Sequence, residues 1–66
     1  MNLSYLKLFN TLATELSFSK AASLLYISQP AVSMQIKKLE EELGFKLFDR
    51  IGKQLNLTEN GKVLYQ

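Results

Sequence analysis

Apolar residues recur along this chain with two periods, and the change of period divides it. Tyr5, Phe9, Leu12 and Leu16 fall at helical steps, with Leu6, Leu8 and Ala13 beside them and Lys7, Thr11, Thr14 and Glu15 opposite. At about 100° per residue these positions gather on one side, predicting a first helix over 3–16 that faces a core. Asn2 stands where its cap would stand. Ser17-Phe18-Ser19-Lys20 interrupts the pattern, after which Phe18, Ala21, Ala22 and Leu25 recur at i, i+3, i+4 and i+7. This is a second helix, capped by Ser17, whose adjacent alanines let another helix cross closely. Val32, Ile36, Leu39 and Leu43 then form the stripe of a third helix over 28–43. Ser28 caps it, Pro30 lies in the first turn where a missing N–H costs nothing, and Gly44 follows the last stripe residue.

Beyond Gly44 the helical period is lost. Phe45-Lys46-Leu47-Phe48-Asp49-Arg50-Ile51 alternates, Gly52-Lys53 supplies turn residues, and Gln54-Leu55-Asn56-Leu57 alternates back. The expected element is a short hairpin with Arg50, Gly52 and Lys53 at its tip, packing Leu47, Phe48, Leu55 and Leu57 on the helices. Thr58 is a good N-cap for a last segment, and Glu59 adds a favourable charge in its first turn. Val63, Leu64 and Tyr65 run apolar to the end without a C-cap, as in a helix cut short.

Only about three residues join the second helix to the third, so the two must cross steeply, as a helix-turn-helix does. The predicted class is mainly α: a winged helix-turn-helix of three helices, a short two-stranded antiparallel wing and the start of a further helix. The corresponding units are residues 1–57 and 58–66. In this geometry the front of the third helix is free to enter a groove. It presents Pro30, Ser33, Met34, Lys37 and Lys38 and no acid, whereas Glu40, Glu41 and Glu42 follow in the third turn. Short polar side chains that reach base edges, with lysines one turn later for phosphates, suit a groove-reading helix. Ser17, Ser19 and Lys20 at the start of the second helix would face the backbone, and the basic hairpin tip a phosphate strand or minor groove. A solvated helix face and ordinary caps account for the same residues.

Composition narrows the chemistry. The 66 residues hold no cysteine and no histidine, which removes disulfides, thiolate nucleophiles, imidazole bases and the usual zinc sets. No carboxylate pair is placed as acid and base, so no catalysis, metal or cofactor is expected of this domain. No apolar run approaches the roughly 20 residues that span a bilayer, and the N-terminus lacks the order of a signal peptide. A soluble cytoplasmic location is expected. Net charge is only +2, but three of the six acids are the consecutive Glu40 to Glu42. The eight cations therefore dominate the remaining surface.

Taken together, several stretches resemble the N-terminal domain of LysR-type bacterial transcriptional regulators. They are Ser17-Phe18-Ser19-Lys20-Ala21-Ala22, Leu25 to Ser33, Ile36-Lys37-Lys38-Leu39-Glu40, Leu43-Gly44-Phe45-Lys46-Leu47-Phe48-Asp49-Arg50 and Leu57-Thr58-Glu59-Asn60-Gly61. The resemblance spans essentially the whole chain. It implies promoter DNA bound at an interrupted inverted repeat by a homodimer, paired through a linker helix that begins at 58–66 and leads to a ligand-sensing domain. By it, Gln29, Pro30, Ser33, Met34 and Lys37 face bases, while Ser17, Ser19, Lys20, Ser28 and Lys38 hold the backbone. Arg50, Gly52 and Lys53 belong to the wing. Met34 stands where arginine is frequent in the family, which exchanges a guanine-binding fork for an apolar group suited to a thymine methyl. Lys53 likewise replaces a common arginine, and lysine fits a narrow groove less well. A second reading is a helical protein-interaction or dimerisation module using Val63, Leu64, Tyr65 and the Glu40 to Glu42 patch. It predicts no retardation of nucleic acid.

Overall fold

The computed structural model describes residues 2–66, and these form four helices and one two-stranded sheet. The helices are α1 (Leu3–Glu15), α2 (Phe18–Leu25), α3 (Gln29–Leu43) and α4 (Glu59–Tyr65), with β1 (Phe48–Ile51) and β2 (Gln54–Leu57) between α3 and α4. Every helix start uses the cap its sequence offers. Asn2 Oδ1 accepts the Tyr5 N–H at 3.1 Å, Ser17 Oγ that of Lys20 at 3.2 Å, Ser28 Oγ that of Ala31 at 3.2 Å and Thr58 Oγ1 that of Gly61 at 3.0 Å. Each bond satisfies a donor with no intrahelical partner.

Helix ends are less expected. α1, α2 and α3 all stop on a left-handed residue, and only one of the three, Gly44, is glycine. Leu16 (φ 51°) takes the position after α1 and donates its N–H to Leu12 O at 2.7 Å. The turn carries Leu16 off the stripe predicted for it, and it is exposed, as is Leu6. Tyr26 (φ 59°) ends α2, its N–H going to Ser23 O and the Ile27 N–H to Ala22 O at 3.3 and 3.1 Å, which is a Schellman closure. Residues 26–28 are thus a compact elbow between α2 and α3.

The core joins Leu8, Phe9, Leu12 and Ala13 of α1, Ala21 and Ala22 of α2, Val32, Ile36 and Leu39 of α3, and Leu47, Phe48 and Leu55 around the hairpin. Both alanines are buried where α2 meets its neighbours, as expected from their size. Phe9 binds the layers together, with its ring 5.6 Å from Phe48 and 6.2 Å from Tyr65, the latter edge-on.

The hairpin departs from its predicted extent. Alternation was expected from Phe45, but Phe45 and Lys46 are exposed while the consecutive Leu47 and Phe48 are both buried, and pairing begins at Phe48. The reason is Glu40, whose Oε2 accepts the N–H groups of Leu47 at 2.7 Å and Phe48 at 3.2 Å. Those donors are satisfied by a side chain of α3. Glu40 is therefore a half-buried tie and no part of an open acidic patch. From Phe48 the register is Phe48↔Leu57, Asp49↔Asn56, Arg50↔Leu55 and Ile51↔Gln54. The two-residue loop Gly52-Lys53 carries its positive φ at Gly52 (65°), the first central position, as type II′ hairpins do.

α4 returns to the body of the domain. The Thr58 N–H donates to Leu47 O at 3.0 Å and its hydroxyl to Lys46 O at 2.6 Å. Gly61 lies so close to this segment that a Cβ there would collide with Leu47 O and sit 2.9 Å from Leu57 Cδ2. At the far end the Tyr65 and Thr14 hydroxyls lie 2.6 Å apart. Leu64 packs on the core, so of the three apolar residues offered to a partner Val63 stands open, at 70% exposure, and Tyr65 partly so, at 39%. Among the described residues no helix is long and apolar enough to cross a membrane.

Candidate nucleic-acid interface

The front of α3 is exposed along its first three turns. Its buried stripe of Val32, Ile36 and Leu39 turns the opposite side outward, leaving Gln29, Pro30, Ser33, Met34, Lys37 and Lys38 open to solvent. Met34, at 55% exposure, is a large apolar side chain on an otherwise polar surface. An α-helix of this width fits a major groove about 12 Å wide.

α2 delivers its N-terminus to the same side. Phe18, the first residue of α2, shares a shallow depression with Gln29, Pro30, Ser33 and Arg50. A second depression joins Ser33, Lys37, Lys46, Asp49 and Arg50. Ser19 and Lys20 are exposed in the first turn of α2. Ser17 and Ser28 spend an oxygen lone pair on their caps, but each hydroxyl keeps its proton to donate to a phosphate oxygen.

Arg50 is not at the hairpin tip, where the sequence reading placed it. Alternation puts residues 48 and 50 of β1 on one face, so Phe48 enters the core and Arg50 follows it along the core-facing side opposite Leu55. From there its guanidinium carbon reaches 5.4 Å from the centroid of the Phe18 ring. The tip consists of Gly52 and Lys53, and Lys53 lines a separate depression with Leu16, Ile51 and Gln54. Of the predicted positions, Gln29, Pro30, Ser33, Lys37 and Arg50 thus line two adjoining depressions, whereas Gly52 and Lys53 form the tip and Lys53 faces another.

Two contributors to this surface went unpredicted. Lys46 was read only as part of an alternating arm, yet it lies beside Ser33, Lys37 and Arg50. Phe18 figures in the sequence only as part of the apolar period of the second helix; it is half-buried, and its ring meets the arginine. Two acids, Glu40 and Asp49, lie beside these cations. The Glu40 carboxylate holds the hairpin, Asp49 Oδ1 accepts the Arg50 backbone N–H at 2.9 Å, and no carboxylate pairs with the Arg50 guanidinium among the described residues. No group of three or more metal-ligating side chains occurs among them either.

Known proteins share both the sequence and this arrangement. The RuBisCO operon transcriptional regulator of Allochromatium vinosum is 46% identical over 65 residues, 98% of this chain and 22% of that regulator. The chain therefore spans about a fifth of the length of that relative. Among solved structures, the complex of the BenM DBD with catB site 1 DNA matches with a TM-score of 0.92 at 43% identity, covering 98% of this chain and 72% of that one. The CbnR DBD–DNA complex matches with a TM-score of 0.91 at 32% identity, covering 98% and 75%. Residues 3–62 match the family described as bacterial regulatory helix-turn-helix protein, lysR family, and the chain belongs to that family.

Proposed function

We propose that this chain binds double-stranded promoter DNA sequence-specifically, with α3 in the major groove, and that it regulates transcription in the bacterial cytoplasm without catalysis or a cofactor of its own. The observation that carries this reading is the acid-free front of α3, continuous with the start of α2 and with Arg50. In it, Gln29, Pro30, Ser33, Met34 and Lys37 address base edges, and Ser17, Ser19, Ser28, Lys20 and Lys38 the flanking phosphates. Gly52 and Lys53 approach the backbone or the adjacent minor groove at the wing tip. The DNA complexes of BenM and CbnR, which have the same fold, support it.

A homodimer meets an interrupted inverted repeat by matching two α3 helices to two half-sites. Pairing in a longer protein would run through residues 58–66, where Val63 is the most exposed apolar position. The test is fluorescence anisotropy of the chain on labelled inverted-repeat and scrambled duplexes at two salt concentrations. Binding that prefers the repeat and weakens with salt, by roughly 0.9 in logarithmic slope per neutralised phosphate, is the expected result. Salt-independent silence of the folded chain on both duplexes would exclude it.

A further inference from the structure

We propose that Phe18 is a positioning residue for Arg50, holding the guanidinium over its ring so that the arginine is already oriented toward nucleic acid before binding. The inference rests on the DNA-binding reading above and assigns a role to a residue that helical spacing alone marks as core.

Three observations converge on it. The Arg50 guanidinium carbon lies 5.4 Å from the Phe18 centroid, inside the range of a cation–π contact. Phe18 is only half-buried although it borders the core, so part of its ring stays accessible. The residues sharing this depression are Gln29, Pro30 and Ser33, so the arginine is held beside the front of α3. A cation–π contact uses no hydrogen-bond donor of the guanidinium, so its N–H groups stay available for phosphate or base. Among the described residues no carboxylate forms an ion pair with Arg50, although Glu40 and Asp49 line a depression with it. A long side chain already held in place loses less rotamer freedom on binding, an effect of about 3- to 10-fold in affinity.

The test is a double-mutant cycle of Phe18→Leu and Arg50→Ala, with Phe18→Tyr as the conservative variant. The probe is a fluorescein-labelled duplex selected by the wild-type chain from a random-sequence pool, and circular dichroism confirms folding. In the Arg50 background Phe18→Leu should weaken binding about 3- to 10-fold, Phe18→Tyr less than about 2-fold, and in the Arg50→Ala background Phe18→Leu should cost almost nothing. In the free chain, the upfield ring-current shift of the Arg50 Hδ protons should vanish in Phe18→Leu and persist in Phe18→Tyr. Equal losses from Phe18→Leu in both backgrounds, or a loss in Phe18→Tyr as large as in Phe18→Leu, would show Phe18 to be scaffold alone. If the wild-type chain selects no duplex, the DNA-binding reading falls and this inference with it; if it selects one and the cycle is additive, only this inference falls.

Discussion

A single oxygen of Glu40 accepts the backbone N–H of Leu47 at 2.7 Å and holds the entry of the hairpin against the third turn of α3. The same oxygen takes the Phe48 N–H at 3.2 Å, two residues before Arg50. Replacing Glu40 by alanine leaves two donors without their charged acceptor and should cost about 2–3 kcal/mol of unfolding free energy in urea titration. Glu40→Gln, whose amide oxygen can still accept both, should lose about 1 kcal/mol. Equal losses for the two would mean that the oxygen contributes little and that packing of the side-chain stem holds the joint.

Tyr26 sits at φ 59° with 94% of its surface exposed, so its ring gains little packing to offset the strained backbone. A left-handed conformation costs an L-residue about 1–2 kcal/mol, and glycine gives back about half of that through its freer unfolded chain. Tyr26→Gly should therefore stabilise the domain by about 0.5–1 kcal/mol, read as a rise of several degrees in thermal midpoint. A fall in the midpoint would show that the tyrosine ring holds the α2–α3 elbow in a way its exposure does not reveal.

Gly61 allows α4 to lie against the carbonyl of Leu47. The Gly61→Ala methyl must displace backbone there, and Leu57 beside it, so a loss of about 2–3 kcal/mol is expected despite alanine's better helix propensity. Propensity alone favours alanine by about 1 kcal/mol, so the sign of the measured change decides between local preference and tertiary contact.

On DNA, the α3 front and the hairpin tip should behave differently. Gln29→Ala and Ser33→Ala should cost about 1–3 kcal/mol on the selected duplex and much less on a scrambled one, the pattern that the base-edge contacts proposed for them require. Lys53→Ala should weaken both duplexes alike and reduce the salt slope by about one. Anisotropy titrations of the three variants on both duplexes distinguish these patterns, and equal losses on both from Gln29→Ala and Ser33→Ala would argue against base reading by α3.

Met34 offers a gain-of-function counterpart. Its exposed apolar side chain stands among polar neighbours on the α3 front, and Met34→Arg would present a fork that binds the O6 and N7 of guanine. Reselection from a random pool should then shift a half-site position toward guanine; an unchanged selected sequence would place residue 34 outside the groove.

Helix periodicity, the four N-cap side chains and the Gly52-Lys53 turn were readable in the sequence because each depends on residues a few positions apart. Those local rules place Ser17, Ser28 and Thr58 at helix starts, the α3 stripe inward and Gln29, Ser33 and Lys37 outward. The position of Arg50 depends on strand register, which Glu40 sets by taking the N–H groups of Leu47 and Phe48, and on α2 lying alongside to offer the Phe18 ring. The closure of Tyr65 onto Thr14 and the tight seat of Gly61 are likewise contacts between distant segments. The sequence by itself thus determined the elements, the helix starts and the composition of the α3 front. Only the tertiary structure decided which charges stay available and where the arginine points, because those outcomes follow from packing between segments that carry no shared period.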